Sequence, residues 1–160
     1  MSYVLHYAPD NASLIIRMIM DHRGIPFTTC LVDRKARAQT SPAYLRLNPN
    51  GLIPVLETPD GPIFETGAIA LWLAERHGGL GLAVDDAQRG DFLKWLFYAS
   101  NTLHPLLRMS FYPEKYIDSG HTDALRSGLV KQLQQGFGTL DTLAVGDRKQ
   151  ARSRYGAKKS

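Results

Sequence analysis

Two prolines five residues apart limit what the middle of this 160-residue chain can become. In Asn48-Pro49-Asn50-Gly51-Leu52-Ile53-Pro54-Val55-Leu56, Pro49 turns the residue before it away from helix, and Pro54 stands at the start of a short apolar β run. Val55 and Leu56, then Ile63 and Phe64, flank Thr58-Pro59-Asp60-Gly61, which is turn chemistry for a hairpin. Glu65-Thr66 then opens a helix. An X-Pro before a strand, a hairpin, and an acidic-hydroxyl pair at a helix start together describe an edge that can hold an extended peptide.

The flanking segments fit such an edge. Residues 3–7 read as a strand, and Leu14, Ile15, Met18, Ile19 and His22 recur at helical spacing until Gly24 and Pro26 stop the helix. Residues 27–32, rich in threonine and apolar side chains, make a second strand and complete a right-handed βαβ unit. Ser41-Pro42 has the chemistry of a helix N-cap followed by proline, and that helix is expected to end near Asn48. A further helix over 67–77 closes at Gly78-Gly79. The order β-α-β-α-β-β-α is that of a thioredoxin-like fold.

Residues 78–84 read as a linker, and Asp85-Asp86 favours a helix start through the macrodipole. Phe92, Trp95, Leu96, Ala99, Leu103, Leu106 and Leu107 line one face of a long helix that Pro105 should kink. After Tyr112-Pro113 a second helix carries Leu125, Leu129, Leu133, Phe137, Leu140 and Leu143. Gly128, Gly136 and Gly138 are expected to weaken it by about 1 kcal/mol each relative to alanine. The fold class is therefore α/β followed by all-α. Its parts are a thioredoxin-like domain over 1–78, a partial helical domain over 85–145, and a basic, disordered tail over 146–160.

Composition narrows the function. The formal charge of +4 invites nucleic acid as a partner, but residues 148–160 hold six basic side chains and no acid. Removing those six from +4 leaves the body at −2, so no nucleic-acid partner is assigned. No stretch reaches the ~18 apolar residues of a membrane span, and no leader pattern opens the chain, so the expected location is cytoplasmic and no membrane partner is assigned. Cys30 is the only cysteine, which argues against a Cys-x-x-Cys thiol-disulfide oxidoreductase. His6, His22, His77 and His121 show no metal-ligand spacing, and no metal is expected.

The Asn48 to Leu56 run resembles the N-P-x-G-x-I/V-P-x-L motif of the glutathione S-transferase family, and Glu65-Thr66 resembles the E/Q-S/T pair that follows it. Pro9-Asp10-Asn11-Ala12-Ser13-Leu14 is similar to the P-G-A-C-S-L segment of the bacterial beta class, with Ala12 where that class has cysteine. The segment from Trp95 to His104 matches W-L-x-Y-x-x-x-x-L/V-H. The resemblance covers roughly the first 110 residues. It implies glutathione as co-substrate, a small apolar electrophile as second substrate, and a homodimer. It also implies that Ile53 and a cis Pro54 meet the cysteinyl part of glutathione, that Glu65 and Thr66 hold the γ-glutamyl end, and that Lys35, with Arg37 and Gln39 beside it, meets the glycyl carboxylate. His104 would face the thiol.

Three residues compete to activate that thiol: Ser13, Tyr7 and Asn11. Each site residue also has a plain structural reading. Ser13 and Thr66 read equally well as helix N-caps, Lys35 as part of a solvated charge run, and His104 as a polar neighbour of the Pro105 kink. From Gly146 the hydrophobic periodicity stops, where family members continue with a capped core helix. A chain truncated or frameshifted there would leave Trp95, Leu96, Leu103 and Leu129 partly bare, a face that favours association. Two functions remain: a transferase joining the glutathione thiolate to an apolar electrophile, or a noncatalytic glutathione-binding or interaction module of the same fold, including a truncated remnant.

Overall fold

The computed structural model describes residues 2–145, so the expected basic tail lies outside the described residues. The chain divides into two units, Met1–Arg89 and Gly90–Ser160.

In the first unit, β1 (Tyr3–Tyr7) buries Tyr3 and Leu5, and α1 (Ser13–Arg23) buries Ile16 and Met20 before Gly24 ends it at φ 62°. β2 (Phe27–Leu31) returns parallel to β1. α2 (Pro42–Leu45) starts as its sequence dictates: Ser41 Oγ accepts the Tyr44 N–H at 3.2 Å, and Pro42 takes the first helical position. The helix is a single turn, shorter than expected, because the N–H groups of Leu47 and Asn48 both close on the Tyr44 carbonyl and bend the chain onward. β3 (Val55–Thr58) and β4 (Gly61–Phe64) form the antiparallel hairpin, and α3 (Thr66–His77) ends at Gly78.

The sheet order is β2-β1-β3-β4, with β3 antiparallel to both neighbours. Leu5 and Leu56 from the sheet and Ile16, Met20, Ile69 and Leu73 from α1 and α3 are fully buried in one cluster. Each such side chain contributes roughly 1.5–3 kcal/mol of transfer free energy. Val32, Tyr44 and Val55 form a second, smaller cluster. This is the thioredoxin-like arrangement.

The second unit is helical. α4 (Arg89–Tyr98) begins a few residues later than Asp85-Asp86, because Asp86 instead caps a turn by accepting the Gln88 N–H at 2.7 Å. The expected kink at Pro105 takes a specific form. A π-helical turn, Ala99–Leu103, separates α4 from α5 (His104–Phe111), and the His104 N–H bonds the Ala99 carbonyl. In an α-helix the Pro105 ring would collide with the carbonyl four residues earlier, and the wider coil relieves that collision. α6 (Thr122–Thr139) follows. Leu103 and Leu129 are not bare but 5% and 3% exposed, while Trp95 and Leu96 are half-buried.

Gly136 also departs from its sequence reading as mere weakness. A Cβ there would sit 2.6 Å from Leu103 Cδ2, and the Gly136 carbonyl accepts the Tyr98 hydroxyl at 3.1 Å. Gly128 and Gly138 face open space. Gly128→Ala and Gly138→Ala are therefore expected to raise stability by ~0.5–1 kcal/mol each, and Gly136→Ala to lower it by ~1–3 kcal/mol. Urea unfolding of the three variants checks the opposite signs.

Candidate functional site

Strand register decides which loops meet. Tyr7 pairs with Leu31, the Val32 N–H continues the ladder to the Tyr7 carbonyl at 2.8 Å, His6 pairs with Val55, and Val55 pairs with Phe64. The carboxyl ends of β1, β2 and β4 and the amino end of β3 therefore share one edge of the sheet. Ligands of open α/β sheets collect outside such carboxyl ends. Along this edge lie Tyr7 to Ser13, Val32 to Lys35, Ile53-Pro54 and Glu65-Thr66. α1 and α3 also begin here, so two positive dipole ends and the first-turn N–H groups of α3 face the same region.

The Ile53–Pro54 peptide is cis, and Pro54 is buried while Ile53 is half-buried. Glu65 is exposed and takes φ 72°, ψ 116°, and its carbonyl opens α3 by accepting the Ile69 N–H at 2.9 Å. Thr66 is thus the first helical residue and not the N-cap, because the non-helical backbone of Glu65 occupies the capping position without a side-chain cap bond.

Ser13 is not a cap either. Asn11 Oδ1 accepts the Ser13 N–H at 3.0 Å and so closes the start of α1. The Ser13 side chain turns inward. Only 2% exposed, its hydroxyl donates to the Ala8 carbonyl at 3.2 Å and accepts the Ala8 N–H at 3.4 Å. Tyr7 is half-buried, and its hydroxyl has no hydrogen-bond partner among the described residues. Tyr7, Ala8, Pro9, Asp10, Ser13, Leu14 and Arg17 line an open cavity of about 360 Å³.

Lys35 is exposed in a loop whose shape comes from Asp33: the Lys35 and Ala36 N–H groups donate to Asp33 Oδ1 at 2.8 and 3.2 Å. Arg34, which the sequence reading passed over, donates to the Pro9 carbonyl at 2.8 Å and ties this loop to the one after β1. Arg37 is exposed at φ 55°, and Gln39 is half-buried. His104 is exposed at the start of α5 in the second unit.

Two buried residues, Asn48 at the head of the proline-flanked motif and Tyr44 in α2 just before it, were also missed as individuals. Asn48 donates through Nδ2, and Tyr44 through its hydroxyl, to the same Leu52 carbonyl, each at 2.8 Å. The signal available in the sequence was an asparagine placed before a proline and a Gly51 that takes φ 62°. Among the described residues no group of three His, Cys, Asp or Glu side chains is placed to hold a metal ion, and no helix is long and apolar enough to cross a membrane.

Residues 12–76 match the family model described as glutathione S-transferase, N-terminal domain. Elongation factor 1-gamma of Prunus avium is 27% identical over 150 residues, covering 89% of this chain and 34% of the relative. Disulfide-bond oxidoreductase YfcG of Escherichia coli is 33% identical over 110 residues, covering 64% of this chain and 51% of the relative. Among solved structures, a glutathione transferase from Pseudomonas putida with one glutathione disulfide bound per subunit is 25% identical with a TM-score of 0.77, covering 91% of this chain and 66% of that one. The chain thus spans about a third to a half of the length of these curated relatives.

Proposed function

We propose that this chain, which belongs to the glutathione S-transferase family, holds glutathione along the strand-end edge of its first unit and ionises its thiol for transfer to an apolar electrophile. The observation that carries this reading is the register, which sets Pro54 and Glu65 at the same sheet end as Tyr7 and the starts of α1 and α3. Glutathione is an extended tripeptide with two carboxylates and an ammonium. The Ile53 backbone offers its peptide a strand partner, the Glu65 carboxylate takes the ammonium, and Thr66 with the N–H groups of α3 takes the γ-glutamyl carboxylate. Lys35 or Arg37 meets the glycyl carboxylate. His104 has its match to the family segment behind it.

The chemistry requires thiolate. A free thiol with a pKa of about 8.5 is only a few per cent ionised at pH 7, so a donor must favour S⁻. The sulfur then bonds to the electrophilic carbon, the leaving group departs with its electron pair, and the thiol proton passes to water. Proximity and thiolate stabilisation together supply the rate gain. The family also supports a cytoplasmic homodimer, and a division into a thioredoxin-like part over residues 1–78 and a partial helical part over 85–145.

Titration calorimetry with glutathione tests the reading on the whole chain. Saturable binding is expected, and its absence in a sample whose circular dichroism shows it folded overturns the proposal. A second reading, a glutathione-binding or interaction module without turnover, draws on Ala12 in place of the beta-class cysteine and on the likeness to an elongation factor. A conjugation assay separates the two. Turnover above the uncatalysed rate that disappears in a combined Ser13→Ala and Tyr7→Phe variant supports the transferase.

A further inference from the structure

We propose that Asn48, assisted by Tyr44, is a positioning residue that aims the Ile53 N–H at the ligand edge, an inference that rests on the glutathione reading above. The physical link is the planarity of the peptide bond. The Leu52 carbonyl and the Ile53 N–H belong to one rigid plane and point in opposite directions, so fixing the first fixes the second. Asn48 Nδ2 and the Tyr44 hydroxyl both donate to that carbonyl at 2.8 Å.

Asn48 is itself held from all sides. Its Oδ1 accepts the Asn50 N–H at 3.0 Å, its carbonyl accepts the Gly51 N–H at 3.0 Å, its N–H reaches the Tyr44 carbonyl at 3.0 Å, and it is 2% exposed. The carbonyl at the centre belongs to Leu52, which is 39% exposed. Water can satisfy a carbonyl near the surface, so two donors from buried residues set its direction more than they satisfy it. Tyr44 is equipped to stay a donor. Burial first, and Cys30 second, push its phenol up from 10.0 to about 12, and the His6 ring packs edge-on at 5.8 Å, held by Glu57 Oε1 at 2.6 Å. Gly51 permits the tight path between the donors and their target. A Cβ there would meet the Gln39 carbonyl oxygen at 3.1 Å.

Asn48→Asp keeps an acceptor for the Asn50 N–H but sets a carboxylate against the Leu52 carbonyl, and Tyr44→Phe removes one donor with little change of shape. Glutathione affinity by calorimetry is expected to fall ~10-fold or more in the first variant and ~5-fold in the second. Without ligand, the amide NMR shift of Ile53 should change in both while the sheet amides of Leu5 and Leu56 stay protected from exchange. That local change distinguishes positioning from a general loss of fold. Wild-type affinity in both variants overturns the inference alone, as does a loss matched by deprotection across the sheet. Wild-type protein that binds no glutathione overturns the functional reading with it. If Asn48→Asp fails to fold, Tyr44→Phe decides.

Discussion

Replacing Tyr7 by Phe is expected to lower kcat/KM toward an aromatic electrophile by ~100-fold while leaving glutathione affinity within about threefold, the pattern of a group whose hydrogen bond matters most to the charged reacting atom. The geometry separates the three hydroxyl and amide candidates by what each is already doing. Ser13 is 2% exposed and exchanges hydrogen bonds with both backbone groups of Ala8, so reaching a thiol would break a buried pair. Asn11 holds the Ser13 N–H, and its amide is a neutral donor. Tyr7 lines the cavity, and its hydroxyl has no partner among the described residues. A phenol donating to S⁻ stabilises the charged form and lowers the thiol pKa, and ~2 units of lowering corresponds to roughly 2.7 kcal/mol. Tyr7→Phe should therefore shift the acid limb of the pH–rate profile upward by ~2 units. Ser13→Ala should instead cost ~1–3 kcal/mol of stability and keep the profile in place. A Tyr7→Phe enzyme with the wild-type profile would remove Tyr7 from the mechanism.

Element order in the first unit was legible because its boundaries are chemical. Ser41-Pro42, Gly24 and the Thr58 to Gly61 turn each force one local geometry, and each appears where its chemistry places it. The misread details have a common cause, since each depends on a neighbour that the local rule ignores. Ser13 and Thr66 carry good capping hydroxyls, yet the Asn11 side chain and the Glu65 backbone already hold those positions. Apolar spacing from Phe92 to Leu107 is nearly the same for an α-helix and for one interrupted by a π turn, so periodicity alone could not reveal the Ala99–Leu103 segment. Gly136 looked like a weak point because its reason for being small, Leu103, lies on another helix. Within the site, the motif announced its proline and its acidic residue. The converging bonds on Leu52 required the folded turn, because Tyr44 and Leu52 meet only after α2 stops at one turn.

Glu65→Gly is expected to raise the melting temperature and weaken glutathione at the same time. Glu65 sits at φ 72°, ψ 116°, a conformation that costs a residue with a Cβ ~1–3 kcal/mol. Glycine adopts it without that strain but loses ~0.5–1 kcal/mol more backbone entropy on folding. The difference is a net gain of up to ~2.5 kcal/mol, which at its upper end raises the melting temperature by roughly 5–10 °C for a chain of this length. On the proposed reading the same change removes the carboxylate that meets the ligand ammonium. A charge-assisted hydrogen bond of about 2 kcal/mol corresponds to a ~30-fold loss of affinity. Glu65→Gln separates the two effects, since it keeps the backbone conformation and removes the charge: affinity should fall with no rise in melting temperature. Calorimetric titration and thermal unfolding of both variants give four numbers whose signs are fixed in advance. Wild-type affinity in Glu65→Gly would detach Glu65 from the ligand, and a lower melting temperature there would mean the backbone is held by its side chain. Opposite signs in one variant would show that the strained link between β4 and α3 is maintained for binding at the expense of stability.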